Sequence, residues 1–211
     1  MIVLINPNST VSMTEAMLRT ARDEVPDAYF EGWTSRHGPP AIQGRDDGDA
    51  ATPHLLKLVG KASDAGAKVI VIGCFDDTGL DEARAIAACP VIGIGQAAYH
   101  MAALVGARFS VVTTLAVSVP VLEKNVKAYG LGGNLVRVRA SDVPVLALED
   151  EAEAAAARVI EEISAAERED GVQSIALGCA GMVNIAKQAR STTQIRLIDG
   201  VRAAAHIARF L

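Results

Sequence analysis

Aromatic residues make up only 4% of the 211 positions, and tryptophan occurs once. A platform that stacks the bases of a single strand needs several aromatic faces, so this scarcity argues against single-stranded nucleic acid as a partner. Cysteine occurs three times, an odd number with no Cys-x-x-Cys, which fits a reducing cytoplasm better than a disulfide framework. The four histidines, His37, His54, His100 and His206, are scattered without metal-ligand spacing, so no metal is expected. Basic clusters are missing too. The net charge is −5, which points away from nucleic acid and from anionic membranes. No apolar run reaches the roughly 18 residues of a membrane-spanning helix. Met1 leads straight into a strand pattern with no basic segment or cleavage site, so no secretory signal is expected. There is no phosphate-binding Gly-rich loop with Lys, and Gly93-Ile94-Gly95 lacks the third glycine of a dinucleotide fingerprint. No lysine stands in a pyridoxal-phosphate context, so no cofactor is expected.

What is present is a pair of matching stretches. Val69-Ile70-Val71-Ile72-Gly73-Cys74 and Ser174-Ile175-Ala176-Leu177-Gly178-Cys179 are each a short apolar run ending in Gly-Cys. Such runs, bounded by turn signals, read as buried strands of a parallel sheet. Strand and helix patterns alternate along the chain, beginning with a strand over 2–5 and a helix through Met13, Met17 and Ala21. A second strand over 28–33 and a polar loop over 34–48 follow, then an amphipathic helix over 55–65. The pattern restarts at Arg108 to Thr114. Asn6 and Cys74 stand 68 positions apart, and Thr113 and Cys179 stand 66 apart. The sequence therefore predicts an α/β protein of two pseudo-symmetric lobes, each a mostly parallel sheet flanked by helices. The lobes are read as 1–95 and 96–199, with the closing helix in 200–211 free to pack back on the first. The active site is expected in the cleft between them.

In an open α/β sheet, ligands bind beyond the carboxyl ends of the strands. Cys74 and Cys179 both fall there, each expected just before a helix whose N-terminus would lower the thiol pKa. Cys89, before Pro90, reads as a buried structural residue. Two thiols facing one carbon suit proton abstraction on one side and proton return on the other. Asn6, Asn8, Ser9, Thr10, Thr113 and Thr114 lie in the same layer and offer neutral hydrogen-bonding groups. Gly73 leaves room for close approach. Gly178, Ala180, Gly181 and Met182 flank Cys179 and offer backbone N–H groups to an enolate-like oxygen. Asp76 and Asp77 read as helix-start residues, and the 34–48 loop as a closure over the site.

Several motifs together resemble the cofactor-independent aspartate/glutamate racemase superfamily, and within it the hydantoin and allantoin racemases. They are Ile5-Asn6-Pro7-Asn8-Ser9-Thr10, Gly73-Cys74-Phe75 with Gly79-Leu80, and Pro90-Val91-Ile92-Gly93-Ile94. Phe109 to Thr114 and Gly178-Cys179-Ala180-Gly181-Met182 complete the set. The resemblance implies that Cys74 and Cys179 are the catalytic pair, with neither metal nor pyridoxal phosphate. It implies racemisation of a cyclic ureide, either a 5-substituted hydantoin or allantoin, by a homo-oligomer. Ala41 and Gln43 stand where the family pattern leads one to expect Ser and Glu. Two other readings stay open: a thiol-dependent isomerase or decarboxylase of small diacids, and a non-catalytic ligand-binding or redox-sensing protein.

Overall fold

The computed structural model describes residues 1–189 and 191–211. The first half of the chain runs β1 (Ile2–Asn6), α1 (Val11–Glu24), β2 (Phe30–Thr34), α2 (Arg45–Asp64), β3 (Val69–Ile72), α3 (Leu80–Ile86), β4 (Val91–Gly93) and α4 (Ile94–Val105). The second half runs β5 (Phe109–Thr113), α5 (Val119–Ala128), β6 (Leu135–Ala140), α6 (Ala147–Asp150), α7 (Ala152–Glu169), β7 (Ser174–Gly178), α8 (Ile185–Ala189), β8 (Arg196–Asp199) and α9 (Gly200–Phe210). Within the described residues the strands form two four-stranded sheets, ordered β2-β1-β3-β4 and β6-β5-β7-β8. Every pairing is parallel. The strand order is the same in both. The chain leaves each inner strand, β1 or β5, toward one edge and returns on its other side, as β3 or β7. That reversal opens a crevice at the carboxyl ends of β1 and β3 and of β5 and β7, where ligands bind in this architecture.

β1, β3 and β7 are buried at every position, which is why they read as unbroken apolar runs. On the outer face of the first sheet, Val3, Ile5, Ile70 and Ile72 pack with Leu55, Val59 and Ala62 of α2. The outer face of the second sheet packs Ile175 and Leu177 with Val159 and Ile163 of α7. The inner faces share one core: Leu4 and Val71 from one sheet, Val111 and Ala176 from the other, with α4 and α9 between. Those two helices meet through Ala97, Ala98 and Ala102 on one and Ala203, Ala204 and Ala208 on the other, side chains small enough for close approach. α9 also packs on α1. Tyr99 of α4 fills the middle, edge-on to Phe75 at 5.2 Å and stacked on Phe109 at 6.2 Å.

Element boundaries differ from the sequence reading where tertiary burial overrides local signals. α2 begins at Arg45, ten positions before Leu55, and continues through Pro53. Proline removes one helix hydrogen bond there, but Ala51, Leu55, Val59 and Ala62 form one buried stripe that carries the helix across it. The connection after β2 is therefore 35–44. α7 starts at Ala152, because 147–150 close a separate turn, α6. The stretch 182–190, which reads as a helix in sequence, is instead covered by a 3-10 turn (Ala180–Asn184) followed by α8, and its last position, Arg190, lies outside the described residues.

One buried carboxylate ties the lobes together. Asp77, on the segment after β3, has φ of 50°, a left-handed conformation that Asp tolerates better than most residues. It accepts hydrogen bonds from Gly95 N at 3.0 Å, Gln96 N at 2.7 Å and the Tyr129 hydroxyl at 2.9 Å. It thus caps α4 and holds the residue that follows α5. Burial pushes its pKa up to about 7, against the pull of these three donors. Gly93 and Gly95 make the approach possible: a Cβ on Gly93 would lie 1.9 Å from Asp77 Oδ1, and one on Gly95 2.2 Å from the Phe75 carbonyl oxygen. Asp77→Ala leaves one buried and two part-buried donors without their acceptor, and the expected loss is about 3 kcal/mol of unfolding free energy. Urea denaturation followed by circular dichroism measures it; a loss under about 0.5 kcal/mol would refute the tie.

Candidate active site

Each thiol follows a glycine that the packing requires. A Cβ on Gly73 would lie 2.8 Å from Met17 Sδ and 3.3 Å from the Ile5 carbonyl oxygen. A Cβ on Gly178 would lie 2.8 Å from Thr113 Cβ and 3.0 Å from the Val112 carbonyl oxygen. Both cysteine-bearing segments are thereby drawn tight against the inner strand beside them. Gly73 N–H continues the ladder to the Ile5 carbonyl at 2.8 Å, and Gly178 pairs with Thr113.

Cys74 and Cys179, one from each sheet, line the same small cavity of about 30 Å³. Of the residues expected to form the site, Asn8, Gly73, Phe75, Thr114, Gly178, Ala180 and Gly181 line it with them. Asn6, Ser9, Thr10, Thr113 and Met182 do not. Asn6 is fully buried, and its amide donates to Asn8 Oδ1, the Thr10 carbonyl and Thr14 Oγ1, so it builds the turn that presents Asn8. Ser9 N–H donates to the Pro39 carbonyl, and Thr10 Oγ1 to the Pro40 carbonyl at 2.7 Å, which pins the 35–44 connection. Thr113 Oγ1 donates to the Gly178 carbonyl, and Met182 lies in the core under α7.

The remaining walls are Met13, Ile42, Asp76, Ser118 and Val145. Three of these are apolar residues that no local pattern marks. Asp76 differs from Asp77 beside it: Asp77 turns inward to α4, whereas Asp76 faces the cavity. Among the described residues Asp76 also lines an adjoining groove of about 620 Å³, shared with the start of α2 and with α5. Among the described residues, no Lys, Arg or His lines the small cavity. Among the described residues, no group of three or more His, Cys, Asp or Glu could hold a metal ion.

The thiols do not sit as the sequence reading expected. Five residues separate Cys74 from α3, so no helix N-terminus supports it; its sulfur meets Thr78 Oγ1 at 3.4 Å. Cys179 caps the 3-10 turn and accepts from Gly181 N–H at 3.4 Å. Burial outweighs both contacts. It pushes the Cys74 thiol well above its ordinary value, with the Asp76 charge adding to the rise. It pushes Cys179 up to about 12, despite the Gly181 amide. Both groups therefore rest as thiols. Asp76 is itself pushed up to about 7 by burial, while the Gly44 amide and the Ser118 hydroxyl hold it lower than burial alone would.

A volume of about 30 Å³ holds one water and no organic ring. The walls contributed by Ile42 and Val145 belong to the 35–44 and 141–146 connections, which are joined where Val145 N–H donates to Gln43 Oε1 at 2.9 Å. Gln43 N–H in turn donates to Asp47 Oδ2 at 2.9 Å.

The whole-chain comparisons bear on the family and the fold. The model of the Asp/Glu/Hydantoin racemase family matches residues 2–208. The chain belongs to that family. It is 41% identical to a hydantoin racemase of Rhizobium meliloti over 209 residues, covering 99% of this chain and 87% of that one. It superposes on an allantoin racemase from Klebsiella pneumoniae with a TM-score of 0.95 and 37% identity, over 100% of this chain and 86% of the other. An allantoin racemase from Pseudomonas fluorescens matches at a TM-score of 0.94 and 33% identity, over 100% of this chain and 89% of that one. Racemase family membership and the two-sheet α/β fold are thus established together. No helix among the described residues is long and apolar enough to cross a membrane.

Two measurements follow from the site. At pH 8 a thiol titrating near 12 is ionised in roughly one molecule in ten thousand. Iodoacetamide is therefore expected to label Cys89, which is half-buried and lies outside the cavity, at least about 10-fold faster than the cavity thiols, buried Cys74 and half-buried Cys179. Peptide mass spectrometry over time reads this; faster labelling of either cavity thiol would contradict the burial argument. Gln43→Ala removes the acceptor of the Val145 amide and is expected to speed exchange of that amide about 10-fold. Unchanged exchange would show that the two connections are held shut by other contacts.

Proposed function

We propose that this racemase inverts C5 of 5-substituted hydantoins by two-thiol proton transfer, with Cys74 and Cys179 as base and acid. The observation that carries the reading is one small cavity lined by a thiol from each of two repeated sheets. The C5 proton of a hydantoin lies beside the C4 carbonyl, so its removal spreads charge onto oxygen. One cysteine, as thiolate, takes the proton and becomes a thiol. The other thiol returns a proton to the opposite face of C5 and becomes the thiolate. Electrons and protons balance within the site, and the reaction calls for no metal or pyridoxal phosphate. A thiolate formed in a dry cavity lacks hydration and is a stronger base than one in water, which suits a weakly acidic carbon.

Asn8, Gly73, Phe75, Thr114, Gly178, Ala180 and Gly181 would enclose the ring. Asn6, Ser9, Thr10, Thr113 and Met182 would hold those residues in place. Allantoin is itself a hydantoin bearing a ureido group at C5, and the two structural relatives named for it support it as a substrate of the same class. A small diacid fits less well, since its second carboxylate would find no cation among the described residues that line the cavity. Three free cysteines suit a reducing cytoplasm, where we place the enzyme as a homo-oligomer.

The test is decay of the circular dichroism of single-enantiomer 5-benzylhydantoin in D2O, with allantoin in parallel and mass spectrometry of recovered substrate. Wild type is expected to racemise at least one of the two with one deuterium gained. Cys74→Ser and Cys179→Ser are each expected to lose about 10²–10⁴-fold. Racemisation persisting at wild-type rate in either variant would remove that cysteine from the mechanism.

A further inference from the structure

Asp76 is the acidic residue of the cavity, and the two-thiol scheme gives it no part. It follows Cys74 by two positions, and its backbone carbonyl accepts from Asn125 Nδ2 of α5 at 2.8 Å. The backbone at this position is therefore tied to α5. Although Asp76 as a residue is only half-buried, its Oδ2 is shielded from solvent and has no hydrogen-bond partner. A buried carboxyl oxygen without a partner costs free energy unless a ligand completes it. Among the described residues Asp76 alone lines both the thiol cavity and the adjoining groove, so it stands at the boundary between them.

Resting on the racemase reading, we propose that Asp76, as a neutral carboxylic acid, donates a hydrogen bond from Oδ2 to the ring oxygen that gathers charge when C5 loses its proton. Burial and the neighbouring acidic groups favour the neutral form, against the Gly44 amide and the Ser118 hydroxyl, which favour the charged one. Asp47 of α2 adds negative charge beside it, and Asp77 lies next in the chain. Cys74 and Cys179 face it across the cavity, and each anion opposes the other: the Asp76 charge raises both thiols. Tyr99 below feels the same charge. Arg45 and Lys124 line the groove on its far side, where water screens them. Charge on any two of Asp76, Cys74 and Cys179 is costly in so small a space, so the three titrate as a coupled set. When one thiol ionises, the proton on Asp76 is held more firmly. The acid is then neutral at the moment the enolate forms, the arrangement by which a buried carboxylic acid serves an oxyanion.

The sign of the pH dependence follows. A donor is lost as Asp76 ionises, so its contribution is present at low pH and falls away as pH rises through its value in the complex. Steady-state racemisation and deuterium uptake would be measured for wild type, Asp76→Asn and Asp76→Ala from pH 5 to 10, with melting curves for each. Asp76→Ala is expected to lower kcat about 100-fold, with KM changed less than about 3-fold. Asp76→Asn keeps a donor without a titrating proton. It is expected to stay within about 10-fold of wild type and to lose the alkaline fall that Asp76 causes. A structural role would move melting temperature and leave the pH profile alone. If Asp76→Ala fails to fold, the isosteric Asp76→Asn decides. A folded Asp76→Asn that is 100-fold slower, or that keeps the wild-type alkaline fall, overturns the proposal. So does an Asp76→Ala enzyme of wild-type rate. If wild type exchanges no deuterium, the racemase reading falls and this role with it; wild-type turnover with unaffected Asp76 variants removes this role alone.

Discussion

Asp77 accepts three hydrogen bonds in the interior, and the placement of the site rests on them. The segment after β3 belongs to the first sheet, while Tyr129 comes from the second half of the chain. α4 lies between the two sheets in the shared core. A single carboxylate fixes the Cys74 segment relative to both. The left-handed backbone at Asp77 turns that side chain inward, and the same turn aims Asp76 the other way, at the cavity. Gly93 and Gly95 are best understood from this contact. They leave room for a carboxylate and a carbonyl, not for a dinucleotide phosphate.

The electrostatics of the cavity follow from its dryness. With no cation among the described residues of its walls and little room for water, a negative charge there is opposed by burial and by any second charge. Free thiols in water would share the medium with their bases; here three ionisable groups compete for one allowed charge. Proton position, not ion pairing, then governs the site. In the proposed reaction that constraint is useful. A thiolate that is rare but strongly basic exchanges its charge with an enolate that is equally unwelcome, so neither lies far below the other in energy.

Much of the architecture was legible because both sheets are parallel and covered on both faces. Burial on two sides makes a strand such as Val69 to Ile72 a continuous apolar run, and the repeat of Gly-Cys after two such runs locates equivalent strand ends. The glycine before each cysteine could be read as room for approach, although what approaches is Met17 in one case and Thr113 in the other. The finer placement was not legible. Asn6, Ser9 and Thr10 look like ligands in sequence because Asn, Ser and Thr bind ligands and build turns with the same atoms; here they build turns. Met13, Ile42 and Val145 enter the site from three separate segments, and apolar wall residues carry no local mark. The helix expected over 55–65 starts ten positions earlier because a buried stripe carries it through Pro53. The expected lowering of thiol pKa does not hold for a related reason: a helix end is visible in sequence, whereas desolvation depends on the whole enclosure and is not.

The two halves match in strand order but not in what touches each sulfur. Cys74 meets a hydroxyl, whereas Cys179 meets a backbone amide that can only donate. The amide donor favours a thiolate on Cys179, and Asp76 lies two residues from Cys74 in the chain. The resting site is thus asymmetric. Yet enantiomers of a compound with one stereocentre have equal free energy, so the equilibrium constant for their interconversion is one. Thermodynamics then requires kcat/KM to be equal in the two directions, however unlike the two thiols are. The asymmetry can appear only in how kcat and KM divide for each enantiomer: the direction that starts from the less favoured thiolate trades a lower KM against a lower kcat, or the reverse. A pseudo-symmetric fold with unlike thiol environments is therefore compatible with an even-handed catalyst, and perfect symmetry of the two lobes is not a physical requirement of racemisation.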